Sequence, residues 1–181
     1  FMLQNQNDTD SVDGMNYANL RVHNINSKIS DIKFMGDTLR ATIESLSAHE
    51  QCGFILEDMS CYVKLSSCGM ELDALRIKTP QTDLATDLIF KYKKFSDFND
   101  FVNKVDMHAV FRQSRVCFED VRYFVPGLKA VHNCFSISGK YTGTVSHLRG
   151  QDMDIGWGRF SAFRGNASMD GLPDINKTLI K

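Results

Sequence analysis

Apolar and polar residues alternate with a period of two through most of the chain. In GMELDALRIKTPQTDLATDLIFKY, residues 69 to 92, Leu75 and Ile77 stand two apart, and Thr79-Pro80-Gln81-Thr82 then interrupts the pattern. Beyond it Leu84, Thr86, Leu88, Phe90 and Tyr92 share one parity against Asp83, Ala85, Asp87 and Lys91. Successive side chains of a strand point to opposite faces, so this stretch predicts two half-buried strands joined by a turn. Leu20 and Val22 start an earlier run. Ile32 and Phe34 start the next, which Met35-Gly36-Asp37 closes as a turn before Leu39, Ala41 and Ile43 resume. Phe54 and Leu56 follow Gly53, and a change of phase between Tyr62 and Leu65 predicts a bulge or tight turn. Later runs are Met107, Ala109, Phe111; Phe135 to Val145; Met153, Ile155, Trp157; and Phe163 to Met169.

The period changes twice. Phe98, Phe101, Val102 and Val105 stand at i, i+3, i+4 and i+7, which predicts a short amphipathic helix over 96–105 with Ser96 as its N-cap and acids in its first turn. Val121, Phe124 and Val125 repeat that spacing, and Pro126 limits a second helix to about 119–124. Residues 1–12 are polar and read as a loose N-terminal segment, leaving 13–181 as a single β-rich unit. Three stretches, DIKFMGDTLRATI, DALRIKTPQTDLATDLIF and DMDIGWGRFSAFRGNASM, each read acid, strand, polar turn, strand. This weak repeat favours stacked β units over one closed barrel. The expected fold is mainly β: a curved antiparallel, taco-like or stacked sheet with two short helices packed at one side or end.

Charge excludes more than it suggests. With 21 Lys+Arg against 22 Asp+Glu the net charge is −1, and no charge block offers nucleic acid or an anionic membrane a broad basic face. No run of 18 apolar residues appears. Both ends read as cuts, so any anchor or export signal is expected outside this segment. Five cysteines at irregular positions make no Cys-x-x-Cys and no complete disulfide framework; most are expected to be small buried apolar side chains, with one disulfide open to an exported chain.

Catalytic constellations are missing. There is no Gly-x-Ser-x-Gly and no P-loop, and GWGRFS lacks the third glycine of a dinucleotide loop. The histidines at 23, 49, 108, 132 and 147 never pair at zinc-ligand spacing, and neighbouring carboxylates such as Glu57-Asp58 point to opposite faces of a strand. Neither a catalytic residue, a metal nor a cofactor is therefore expected. Sequons at Asn7, Asn166 and Asn176 matter only in a eukaryotic secreted protein. Thirteen phenylalanines are the feature that remains. They fill a core, or some of them line a groove for acyl chains, which needs apolar lining and no polar anchor along the tail. The candidate lining is Leu84, Leu88 and Phe90 with Ile137, Tyr141 and Val145 on a second strand pair.

Several pieces, taken in order, carry a resemblance: Tyr17 with Leu20, Gly36 to Leu39, Leu46 to Phe54, LRIKTPQTDL, DFVNKV, EDVRYFVPGL, ISGKYTGTV, LRGQDMDI and MDGLPDI. Over residues 13 to 178 the chain resembles an internal segment of the AsmA/TamB-like envelope proteins of Bacteroidota. The resemblance implies a long protein anchored in the inner membrane and extending through the periplasm. It also implies an apolar groove for phospholipid transport between membranes, or a part in outer-membrane biogenesis (translocation and assembly). The implied partners are phospholipid acyl chains and outer-membrane assembly proteins, with no nucleic acid. Five cysteines are unusual for such a segment. The rival expectations are a closed-core scaffold that holds a protein partner during outer-membrane protein assembly, and an enzyme of carbohydrate or lipid metabolism.

Overall fold

A computed structural model describes residues 14–15, 19–124, 133–172, 174 and 177–181. The expected loose segment 1–12, the turn at Pro126 and the sequons at Asn7 and Asn176 lie outside these residues. Among the described residues ten strands form one antiparallel sheet in which each pairs only with its neighbours in sequence, so the sheet is an open meander. They are β1 Val22–Met35, β2 Thr38–Glu50, β3 Ile55–Leu65, β4 Gly69–Lys78 and β5 Asp83–Lys91, then β6 Asp106–Cys117, β7 Cys134–Thr144, β8 His147–Trp157, β9 Ser161–Asp170 and the two-residue β10 Leu179–Ile180. The expected hairpin at residues 69–92 is β4–β5, and Thr79 N–H donates to Thr82 O across its turn.

The two expected helices are shorter and stand at opposite ends of β6. The β5–β6 connection is a 3-10 turn, Phe95–Asp100, running into α1, Phe101–Lys104; α2, Phe118–Val121, follows β6 directly. Ser96 is not the cap. The turn starts at Lys94, and the Asp97 carboxylate accepts the N–H groups of Lys93 and Lys94. Four-residue helices are too short to hold themselves in water, so packing of their phenylalanines on the sheet fixes them.

The expected short runs before residue 35 are one strand. Asn24 and Asp31 have φ near +53°, and the β1–β2 register shifts beside both, which breaks the alternation without ending the strand. Shifts of this kind recur in every pairing from β1–β2 to β8–β9. Side chains of neighbouring strands stitch three of them. Ala74 N–H, in a residue at φ +50°, donates to Asp87 Oδ1 at 2.8 Å. Asp152 N–H, at φ +51°, donates to Asn166 Oδ1 at 2.8 Å. Ser114 Oγ accepts Ala85 N–H at 2.9 Å and donates to Arg112 O. A bulge bends its strand and strengthens its twist, so a row of them creases the sheet. Leu75, Thr86, Ser114 and Met153 lie at this row and are buried, whereas β1 and the upper half of β9 are exposed along their length.

Candidate functional site

Strand register gathers the apolar residues onto one face. One cross-strand row runs Phe34, Leu39, Leu65, Met70, Phe90, Met107, Gly143, Leu148, Met169 and Ile180, through all ten strands. A second runs Ala41, Val63, Leu72, Leu88, Ala109, Tyr141, Gly150 and Ala167. At a strand spacing of about 4.8 Å, rows of this kind cross roughly 40 Å of sheet. The opposite face is largely polar and charged, as in the row Lys33, Arg40, Lys64, Glu71, Ile89, His108, Thr142, Arg149 and Ser168.

The predicted lining residues are placed unequally. Leu84, Leu88 and Phe90 share one face of β5, which is regular, and all three are half-buried. Ile137 and Tyr141 share one face of β7, and Ala109 of β6 stands between Leu88 and Tyr141, which puts the two sets on the same face. Ala109, Tyr141 and Met153 form a buried core cluster against which Leu88 and Ile137 pack. Tyr141 is only 3 % exposed, covered by its neighbours on this face, Phe111 among them at 5.4 Å, so it offers no surface to a ligand. Its burial pushes the phenol up to about 12. Val145 corrects the expectation for β7. The strand ends at Thr144, and Val145 with Ser146 makes the turn into β8, so it does not extend the Ile137–Tyr141 set.

Each helix lays an aromatic ring on one end of this face. At the lower end Phe98 and Phe101 contact Phe90 with ring centroids 6.2 and 5.4 Å apart, and Tyr92 and Phe95 extend the cluster. Ser146 N–H donates to Val102 O and ties α1 to the β7–β8 turn. At the upper end Phe118 of α2 contacts Phe135 at 5.2 Å, and Phe54 meets Tyr123 and Phe124. Thr79 Oγ1 donates to Asp120 Oδ2 at 2.6 Å and fixes α2 to the β4–β5 turn. The face is therefore capped along the strand direction and open across it, toward β1 and β9. The candidate lining left out Met70 and Leu72, and also Met107 and Met153, although the last two were read as members of alternating runs. The first three obey strand parity with their neighbours, but the bulge at Asp152 moves Met153 out of phase with Leu148.

Chemistry outside this face is sparse. Among the described residues one His, Cys or carboxylate group has metal-ligand proximity, Cys117 with Glu119 and Cys134, and both sulfurs are joined in a disulfide. Only Cys61 and Cys117 of the five cysteines are buried, so most are not the small buried apolar side chains expected: Cys52 and Cys134 are half-buried and Cys68 is exposed. Asp87 is held below the usual carboxylate range, first by Arg112 and then by the Ala74 amide. The Glu50 carboxylate is pulled down to about 2 by the Cys52 side chain, then by the amides of Cys52 and Arg21. A shallow hollow of about 280 Å³ lies between Arg149, Gly150, Gln151, Asn166, Ala167, Ser168 and Lys181. No helix among the described residues is long and apolar enough to cross a membrane. Neither a protein-family model, a curated protein nor a solved structure matches the chain.

Proposed function

We propose that this chain is a non-enzymatic, periplasmic segment of an AsmA/TamB-like envelope protein, and that its apolar face forms part of a groove for phospholipid acyl chains. One observation carries the reading. Apolar rows cross a sheet on which no second sheet packs among the described residues: they are buried in the middle, at Ala109 and Tyr141, and open toward the β1 end, where Phe34 is 77 % exposed. Acyl chains match such a surface because they ask only for apolar area, about 0.8 kcal/mol for each buried methylene. Capping of the two strand ends leaves a path across the strands, the direction in which a long sheet would pass a lipid along. The Cys117–Cys134 bond adds support for an oxidising compartment such as the periplasm.

A closed-core scaffold for outer-membrane protein assembly is the competing reading, favoured by the burial of Leu75, Ala109, Tyr141 and Met153 in the middle of the sheet. Organic extraction of the purified chain followed by lipid mass spectrometry separates the two. The groove reading expects co-purifying phospholipid and displacement of a fluorescent fatty acid by it. It also expects both signals to fall in Leu88→Asp and in Phe34→Asp, whose exposed site leaves folding intact. A lipid-free extract with no probe binding by the folded parent rejects it.

A further inference from the structure

We propose that the β8–β9 hairpin tip, Trp157 to Phe163, docks the protein onto the surface of an anionic lipid bilayer. Phe160 is 97 % exposed at the turn, and Trp157 and Phe163 on the flanking strands are exposed as well. Gly158 begins the turn at φ +63°, and a Cβ there would meet nothing within 4 Å, so the turn is open at this point. Three large aromatic side chains in water at one projecting corner are unfavourable unless something covers them.

Charge identifies the partner. From Ile155 to Met169 there is no carboxylate, although the whole chain has more acids than bases. Arg164 is paired with Asp154 at 2.9 Å, which leaves Arg159 between Trp157 and Phe160 with no ion pair among the described residues. Tryptophan and phenylalanine around an arginine suit a bilayer interface, where the rings enter the acyl boundary and the guanidinium meets phosphate. Register links the tip to the apolar face: Ile137, Ile155 and Phe163 lie directly opposite one another, as do Phe135 and Trp157. Register thus places the docking corner next to the upper, α2-capped end of the apolar face, beside the open edge at β9. Docking follows from the tip's own exposure and charge and does not require the groove reading.

Trp157 is the sole tryptophan, so its fluorescence reports on the tip directly. Adding vesicles of phosphatidylcholine with phosphatidylglycerol to the full chain should shift Trp157 emission to the blue. Brominated acyl chains should quench it, and the protein should float with the vesicles. Phe160→Asp should lower partitioning about tenfold or more, the loss of one buried phenylalanine, with unchanged far-ultraviolet circular dichroism. Arg159→Glu should weaken binding to the anionic vesicles and leave plain phosphatidylcholine unaffected. Leu88→Asp and Phe34→Asp should dock like the parent even if they lose acyl chains, which keeps failure of the groove distinct from failure of docking. The proposal is overturned by unchanged Trp157 emission with vesicles, or by Phe160→Asp floating as well as the parent. A blue shift that grows with protein concentration in the absence of vesicles would assign the tip to a second copy of the chain, and would also overturn it.

Discussion

Removing the Cys117–Cys134 bond should cost about 3 kcal/mol of stability. The two residues face each other across β6 and β7, at a sequence separation of 17, and the bond closes the connection that contains α2. Chain-entropy theory gives a loop of this length roughly 10 cal/mol/K, hence about 3 kcal/mol at 25 °C. For a chain of this size each kcal/mol moves the melting temperature by about 2–4 °C, so the expected loss is about 6–12 °C. Cys117 is fully buried and its N–H donates to Thr82 Oγ1, so alanine is the better replacement because it leaves no stray hydroxyl there. Calorimetry of the parent with and without a reductant, beside Cys117→Ala/Cys134→Ala, makes the comparison. The reduced parent and the double variant should melt together, and both below the oxidised parent. Alkylation of the denatured, unreduced protein should label Cys52, Cys61 and Cys68 alone. Labelling of all five cysteines, or melting curves that coincide with and without reductant, would refute the bond and remove the support it gives to an oxidising compartment.

Three further outcomes are expected. Glu50→Gln should flatten the acid limb of the stability curve. The Glu50 carboxyl falls from 4.5 to about 2 on folding, so its contribution is complete above pH 4.5 and is lost as pH drops through 2, with a ceiling of about 3 kcal/mol; urea titrations across that window would show no difference if the amide clamp is idle. Ala74→Gly should raise stability by up to about 1 kcal/mol, because a left-handed L-residue costs about 1–2 kcal/mol and glycine gives back part of that as chain entropy. A lower melting temperature would mean that the bulge geometry is wrong. Gly139→Ala should destabilise by about 2 kcal/mol or more in denaturant titrations, since φ is +117° and the new Cβ would lie 2.8 Å from Asp152 O; a neutral result would show that β8 can shift to make room.

Much of the sheet was legible because period-two alternation survives wherever a strand is regular. β5 and β7 carry no inserted residue at the bulge row, despite Gly139 of β7 at φ +117°, and there Leu84, Leu88 and Phe90, and likewise Ile137 and Tyr141, could be assigned to a face. β1 could not be read as one strand, because Asn24 and Asp31 shift its phase twice within 14 residues. The helices were overextended for a different reason. Val105 fits the helical period, yet it is a fully buried extended residue that leads into β6. Periodicity cannot tell the last turn of a helix from the first residue of a strand that shares its apolar contact. Val145 obeys the parity of β7 but occupies the turn, since parity carries no information on where a hairpin reverses.

The weak internal repeat has a physical meaning that alternation alone does not show. Its three copies begin at Asp31, Asp73 and Asp152, and each has a left-handed residue at or next to its start, Asp31, Ala74 and Asp152, while β1 carries a further one at Asn24 outside the repeat. In the latter two copies an acceptor on the second strand, Asp87 or Asn166, receives the bulged amide. What all three copies share is thus a hairpin bulged at a left-handed residue, stitched by a side chain in the latter two, and side chains on the two faces are free to vary around it. Identity is low because a bulge needs only a residue that tolerates positive φ and an acceptor across from it. Hairpins of this kind, joined edge to edge, crease on the same side, and the inside of the crease gathers the apolar residues. Burial therefore follows the bulge row through Leu75, Thr86 and Met153, while the arms beyond it keep apolar side chains half-exposed. A sheet built this way stays open by construction, since closing it into a barrel would require β1 to reach the far edge formed by β10 and the rest of β9, and nothing in the repeat supplies that contact.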